Sequence, residues 1–170
     1  DLIVLGQQEP RAIGHADGLD LPAEVVLGAG RPVLIVPIEG TVRTLGENIV
    51  IAWNGTRESA RAVADALPLL LHAKSILILS GAETNPTKRR TVASAAMLIK
   101  SLALHGVKAE LNDLGRHRFD VGEKILSCCT ERNADLLVMG AYGHSRAREL
   151  VLGGVTQTLM ESMTLPVLMS

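Results

Sequence analysis

Aromatic side chains are almost missing from this chain: one Trp, one Tyr and one Phe occur in 170 residues. Trp53, Phe119 and Tyr142 are too few and too scattered to form the stacking platform on which single-stranded nucleic acid is held. An excess of one charge is missing as well. Seventeen basic and 18 acidic side chains leave a formal net charge of −1 and a pI of about 6.6. That removes the electrostatic case for general nucleic-acid binding. Although 47% of the residues are apolar, no run approaches the roughly 18 that a membrane helix needs, so no membrane span is expected. No secretory signal is visible. Cysteine is confined to Cys128 and Cys129, which are adjacent and ill placed to bridge each other. No metal-like or C-x-x-C spacing accompanies them. They read as small buried helix residues in a reduced, cytoplasmic setting. The chain starts at Asp1, without Met and inside an apolar run, and is expected to be part of a longer polypeptide.

What is present is an alternation of strand-like and helix-like segments. Asn48–Trp53 ("NIVIAW"), Ser75–Ser80 ("SILILS"), Val107–Leu111, Asp135–Met139 ("DLLVM") and Leu165–Met169 ("LPVLM") have strand character. Between them, Arg57–Leu71 has helical spacing with Thr56 as N-cap, and Pro68 is expected to kink or end it. Thr91–His105 reads as a second helix stopped at Gly106. Asp120 and Glu123 form an Asp-x-x-Glu variant of a capping box, opening a third helix to about Arg132. Gly154–Met163 is the fourth. Such alternation implies an α/β fold with a parallel sheet covered on both faces. Ligands of these sheets sit beyond the carboxyl ends of the strands, where strand order reverses. That directs attention to the loops Asn54–Arg57, Gly81–Arg90 and Gly140–Gly154.

An internal repeat accounts for the first residues. "DLIVLG" at Asp1–Gly6 resembles "DLLVMG" at Asp135–Gly140, and "RPVLIVP" at Arg31–Pro37 resembles "LPVLMS" at Leu165–Ser170. Gly6 to Pro32 and Gly140 to Pro166 are both 26 residues, so one offset of 134 relates the two copies. A competing match of "EVVLGAG" to "ELVLGGV" needs compensating nine-residue shifts on either side and is set aside. Residues 1–37 are therefore expected to be the C-terminal part of a first copy, with a helix near Pro22–Leu27. Residues 38–46 are a linker and 47–170 a complete second copy. The first part lacks three strands and cannot bury a core alone.

The stretch "GAYGHSRARELVLGG" carries the chemistry. Its spacing is Gly140-x2-Gly143-x9-Gly153, followed by Gly154. Gly140 ends a buried strand, where a missing Cβ permits a sharp exit and a close approach. Gly153 and Gly154 open a helix, whose first turn has unpaired N–H groups and the positive end of a dipole. Anions bind at such ends. His144 and Ser145 are expected near the anion, whereas Arg148 reads as a solvated loop residue. The Walker pattern and G-x-G-x-x-G are both absent. The glycine spacing, continued by "GVTQTLMESMTLPVLMS", resembles the nucleotide loop of universal stress proteins, and the likeness extends over nearly the whole chain. "ENIVIAWNGTRESARAVADALPLL" is similar to that family's first strand, loop and helix.

The resemblance implies a three-layer α/β/α fold with a five-stranded parallel sheet of order 3-2-1-4-5. It implies pairing through the last strand, either in a homodimer or in a tandem pseudo-dimer. It also implies ATP as ligand, with a divalent cation such as magnesium as an option. By position, Gly140, Gly143, Gly153 and Gly154 would line the phosphates, with backbone help from His144 and Val155. Asn54 stands where the family usually has an Asp contacting the nucleoside. Ser80 would offer backbone groups to adenine, and Met139 precedes the loop. Two departures stand out. The family motif ends in Gly-Ser or Gly-Thr, so Gly154 lacks a hydroxyl donor worth about 1.5–3 kcal/mol, some tenfold or more in affinity. Asn54 keeps an acceptor but removes a charge. In the first copy no glycine stands three residues after Gly6, and that copy's site is expected to be degenerate.

Three functions follow: a nucleotide-binding regulatory protein of the stress-response type, a scaffold of the same family without nucleotide, and a slow ATPase. The last has the least support, because no placed nucleophile, base or Walker carboxylate is present. Lys88, Arg89 and Arg90 form a basic run that reads first as a solvated face, although its loop is on the ligand side of such a fold. His15, His72, His105 and His117 show no metal or triad spacing.

Overall fold

The computed structural model describes residues 1–8, 21–40, 42–80, 88–115, 121–141 and 154–170. Among them the chain forms β1 (Ile3–Gly6), α1 (Leu21–Gly28), β2 (Val33–Val36), β3 (Asn48–Trp53), α2 (Arg57–Leu70), β4 (Ser75–Ser80), α3 (Lys88–Leu104), β5 (Glu110–Asp113), α4 (Val121–Glu131), β6 (Leu136–Met139), α5 (Gly154–Ser162) and β7 (Val167–Met169). β6 is buried at every position and β3 at four of six, which is why these runs are apolar without alternation. Side chains of alternate parity feed two cores. Ile49, Ile51 and Ile78 pack with Ala62, Val63, Ala66 and Leu70 of α2 and with Ala95 and Leu102 of α3. Val50, Leu137 and Val167 pack on the other face with Ile125 and Cys129 of α4 and Leu159 of α5.

The expected five-stranded sheet is corrected. Among the described residues a single seven-stranded sheet runs β1-β2-β7-β6-β3-β4-β5, and it is mixed rather than parallel because β2 and β7 are antiparallel. The strands from residue 48 onward keep the sequence β5-β4-β3-β6-β7 within it. The sheet extends because the outer edge of β7 would otherwise present unpaired N–H and C=O groups, and β2 satisfies them.

The 134-residue offset persists in the hydrogen bonding. β1 pairs with β2 as Ile3 with Val33 through Leu5 with Ile35, and β6 pairs with β7 as Leu137 with Val167 through Met139 with Met169. The Ile3 N–H to Pro32 and Gln7 N–H to Val36 bonds have their counterparts in Leu137 to Pro166 and Ala141 to Ser170. Across the seam Leu34 meets its own repeat partner Leu168, while Val33 meets Met169 and Ile35 meets Val167. This reciprocity marks a local two-fold relation about the Leu34–Leu168 pair.

Several element boundaries differ from the sequence expectation, and three of the differences have a clear physical reason. α2 passes through Pro68 and ends at Leu70. Pro68 lies in the last turn, so the bond it cannot make to Ala64 leaves an exposed carbonyl that water can serve. α3 begins at Lys88, so the end of the expected polar loop, Lys88–Arg90, is its first turn. Val107–Leu111 was expected as a strand, but β5 spans Glu110–Asp113. Val107 is instead used to close α3: its N–H bonds Leu102 O and that of Gly106 bonds Ala103 O, with Gly106 at φ 79°. This is a Schellman stop, and it consumes the residues that strand propensity alone assigns to a sheet. The cap at Asp120 lies outside the described residues.

Cys128 and Cys129 are free thiols on the buried face of α4. Burial, then the neighbouring Cys128, pushes Cys129 up to about 12, so almost no thiolate exists near neutral pH. A thiol reagent at pH 8 is expected to titrate both residues only after unfolding. Rapid modification of Cys129 in the native protein would contradict that.

Candidate functional site at the carboxyl ends of β3 and β6

β3 lies between β4 and β6, so successive strands depart in opposite directions on its two sides. The reversal point lies at the carboxyl ends of β3 and β6, where α/β sheets hold ligands. Three expected site positions converge there. Asn54 follows β3, Gly140 follows β6, and α5 leads into β7, parallel to β6, so its first residue Gly154 stands at the same sheet edge.

The turn after β3 is held by a chain of side-chain bonds. Asn54 Oδ1 accepts the Thr56 N–H at 3.1 Å and the Thr56 hydroxyl at 2.8 Å. Thr56 Oγ1 in turn accepts the Ser59 N–H at 3.4 Å and caps α2, and Ser59 Oγ donates to Thr56 O at 2.9 Å. Since a backbone N–H can only donate, the Asn54 atom facing it must be the oxygen. The acceptor expected to meet a nucleoside is thus engaged within the turn, and the exposed Asn54 has N–H donors to offer. Beside it, Arg57 is 93% exposed and donates to Glu58 Oε1 at 2.5 Å. Burial alone would raise the Glu58 carboxyl, but the Arg57 bond and backbone and Thr56 contacts hold it below the usual range.

Gly140 has a packing reason that the sequence does not show. A Cβ there would lie 2.6 Å from Glu58 C and still closer to Ser59 N. The close approach that needs this glycine is made by the backbone of the first turn of α2. Glu58 and Ser59 therefore shape the site although they were not expected to, and the only sequence signal for them is the Thr56 cap. Gly154 is the opposite case: it is exposed, and no described residue stands within 4 Å of a Cβ built there.

Val155 is half-buried and packs on the core beneath α5. Met139 is 5% exposed and belongs to that same core, so its side chain is packing and only its backbone borders the site. The Ser80 side chain has the parity of Ile76 and Ile78 and faces the α2 and α3 layer. It is 1% exposed, and its hydroxyl has no hydrogen-bond partner among the described residues. Its carbonyl already accepts the Leu114 N–H at 3.0 Å, which leaves the second lone pair for any further donor. Gly143, His144, Ser145 and Gly153 lie outside the described residues. Among those described, no group of three His, Cys, Asp or Glu could hold a metal ion, and no helix is long and apolar enough to cross a membrane.

Comparison with known proteins agrees with this architecture. A universal stress protein of Synechocystis is 29% identical over 171 residues, covering 99% of this chain and 57% of its own length. The chain thus spans little more than half of that relative. One from Methanocaldococcus jannaschii is 28% identical over 71 residues, covering 38% of this chain and 44% of its own length. A solved universal stress protein structure from Archaeoglobus fulgidus superposes with a TM-score of 0.71 at 16% identity, covering 98% of this chain and 61% of that one. At such identity the likeness concerns the fold. The model of the universal stress protein family matches residues 46–170, and the chain belongs to that family.

Proposed function

We propose that this protein is a stress-response regulator that binds an adenine nucleotide, ATP, over the Gly140–Gly154 loop. The observation that supports this best is the convergence of Asn54, Gly140 and the α5 N-terminus on the strand reversal point. Gly154 and Val155 offer first-turn N–H groups to phosphate, and Asn54 offers an amide donor. Gly143, His144, Ser145 and Gly153 would complete the phosphate loop, with Ser80 and Met139 bordering adenine through their backbones. A magnesium ion would be held chiefly by the phosphates and water, its usual mode in nucleotide sites. The role is binding and regulation, with at most slow hydrolysis, in a reduced cytoplasm. Residues 1–37 would be the tail of a first domain, joined by residues 38–46 to a complete domain at 47–170. The shared register of β1–β2 and β6–β7 supports that division.

Calorimetric titration with ATP tests the reading, and no heat and no thermal shift at millimolar ATP would sink it. The open space at Gly154 adds a sharper prediction. Gly154→Ser restores the missing hydroxyl with no described atom within 4 Å of its Cβ, and is expected to tighten ATP binding about tenfold. An unchanged Kd would place the phosphates elsewhere.

The β2–β7 pairing favours one second reading, a scaffold that works through paired last strands without nucleotide. That reading requires partner binding to survive Gly153→Val, which puts a bulkier residue into the glycine motif.

A further inference from the structure

We propose that the β2–β7 seam regulates the ligand site, with α5 and α2 as the rigid connections between them. The proposal rests on the nucleotide reading above and names how that site is controlled.

Both helices begin at the site and are fastened to the N-terminal segment farther along. α5 has nine residues from Gly154 to Ser162, about 13 Å of helix. Near its far end, Gln7 Nε2 donates to Met160 O at 2.7 Å and approaches Glu161 O at 3.5 Å. These are carbonyls of the last turn, which have no partner inside the helix. The same side chain accepts the Ile38 N–H through Oε1 at 3.0 Å, where β2 has ended. One amide thus clamps the end of α5 to both strands of the N-terminal segment. α5 cannot slide along its axis without breaking that clamp or dragging β1.

On α2, the first turn touches Gly140, and the next turn carries Arg61, whose Nη2 donates to Gly30 O at 2.6 Å. Gly30 is in the left-handed region at φ 60°, in the tight link between α1 and β2. One turn on, Asp65 Oδ2 accepts the Ser170 hydroxyl at 2.6 Å and lies 3.6 Å from Arg61 Nε. β7 and the α1–β2 link are therefore held by the same face of α2. The Gln7 clamp is one-sided: its repeat counterpart is Ala141, whose methyl group can make no such bond. The local two-fold is therefore broken in favour of the site built by residues 54, 140 and 154. A ligand that orders the start of α5 biases the position of its far end, and through Gln7 the seam. By linkage, loosening the seam must weaken the ligand.

The test uses the full chain, with ATP as probe, and the single variants Gln7→Ala and Arg61→Ala. ATP is expected to slow amide exchange of Ile38 and of β2 several-fold. Each variant is expected to weaken ATP about fivefold or more, the lower range of allosteric coupling, with a native Trp53 emission spectrum. If the unaltered protein binds ATP while Ile38 exchange and both variants' Kd values stay unchanged, the coupling is overturned and the binding site stands. Failure of the unaltered protein to bind ATP overturns both.

Discussion

Gly140→Ala is expected to lower the thermal midpoint by roughly 6–12 °C, from a loss of about 3 kcal/mol in a chain of this size. The added methyl group meets Ser59 N, Glu58 C at 2.6 Å and Ser59 Cα at 2.9 Å. All three are backbone atoms. A flexible side chain could swing aside, but here the first turn of α2 must move bodily. That turn carries the Thr56 cap and the buried Ser59, so its displacement costs hydrogen bonds as well as packing. Gly6→Ala is the control. Gly6 is the repeat counterpart of Gly140, yet nothing described lies within 4 Å of its Cβ position. Thermal unfolding followed by circular dichroism separates the two substitutions. Equal midpoints for both variants would show that α2 has room to retreat.

Asp135→Asn is expected to cost about 2–3 kcal/mol near neutral pH, because a carboxylate serving several donors is replaced by a neutral group that turns a donor of its own toward them. Asp135 Oδ1 accepts the N–H groups of Gly46 at 3.1 Å and Asn48 at 2.8 Å, and Oδ2 accepts that of Glu47 at 3.1 Å. It thereby ties the start of β6 to the entry of β3. Partial burial alone would raise this carboxyl, but bonds from Thr44 and from the Asn48, Glu47 and Gly46 backbone hold it below the ordinary value. A depressed pKa means that the folded state prefers the ionised form. Its stabilisation is fully present above the unfolded pKa of about 3.9 and is lost as pH falls through the lower folded value. Urea unfolding of both proteins at pH 7, 5 and 3 should therefore show a gap that is constant between 7 and 5 and shrinks toward 3. A gap independent of pH would mean that ionisation of Asp135 contributes nothing.

Much of the fold was legible because burial imposes a pattern on the sequence. Runs such as "NIVIAW" and "DLLVM" are apolar throughout because both faces of their strands are covered. The helix from Arg57 shows its buried stripe at Ala62, Val63, Ala66 and Leu70, and its cap at Thr56. β5 was misplaced for the converse reason. All four of its residues are exposed, so "ELND" bears no mark of burial. The positions of Asn54, Gly140 and Gly154 at the carboxyl end of the sheet were legible from the alternation of strands and helices. The hydrogen bond that turns Asn54 from acceptor to donor was not, because it depends on how the Thr56 turn closes.

The sequence by itself determined that strands and helices alternate and that the two ends of the chain are related by a 134-residue offset, which the hydrogen-bond register keeps. Tertiary structure alone decided what equivalent residues do. Val4 and Val138 are repeat counterparts, yet one is 58% exposed on an edge strand and the other fully buried between β3 and β7. Gly6 and Gly140 are counterparts too, and among the described residues only Gly140 lies under a helix backbone. The joining of β2 to β7 into one seven-stranded sheet could not be read from the residues themselves, and only the family resemblance implied a pairing of last strands. Strands pair through N–H and C=O groups that nearly every residue carries alike, so side chains indicate which face is buried but not which edge will meet it.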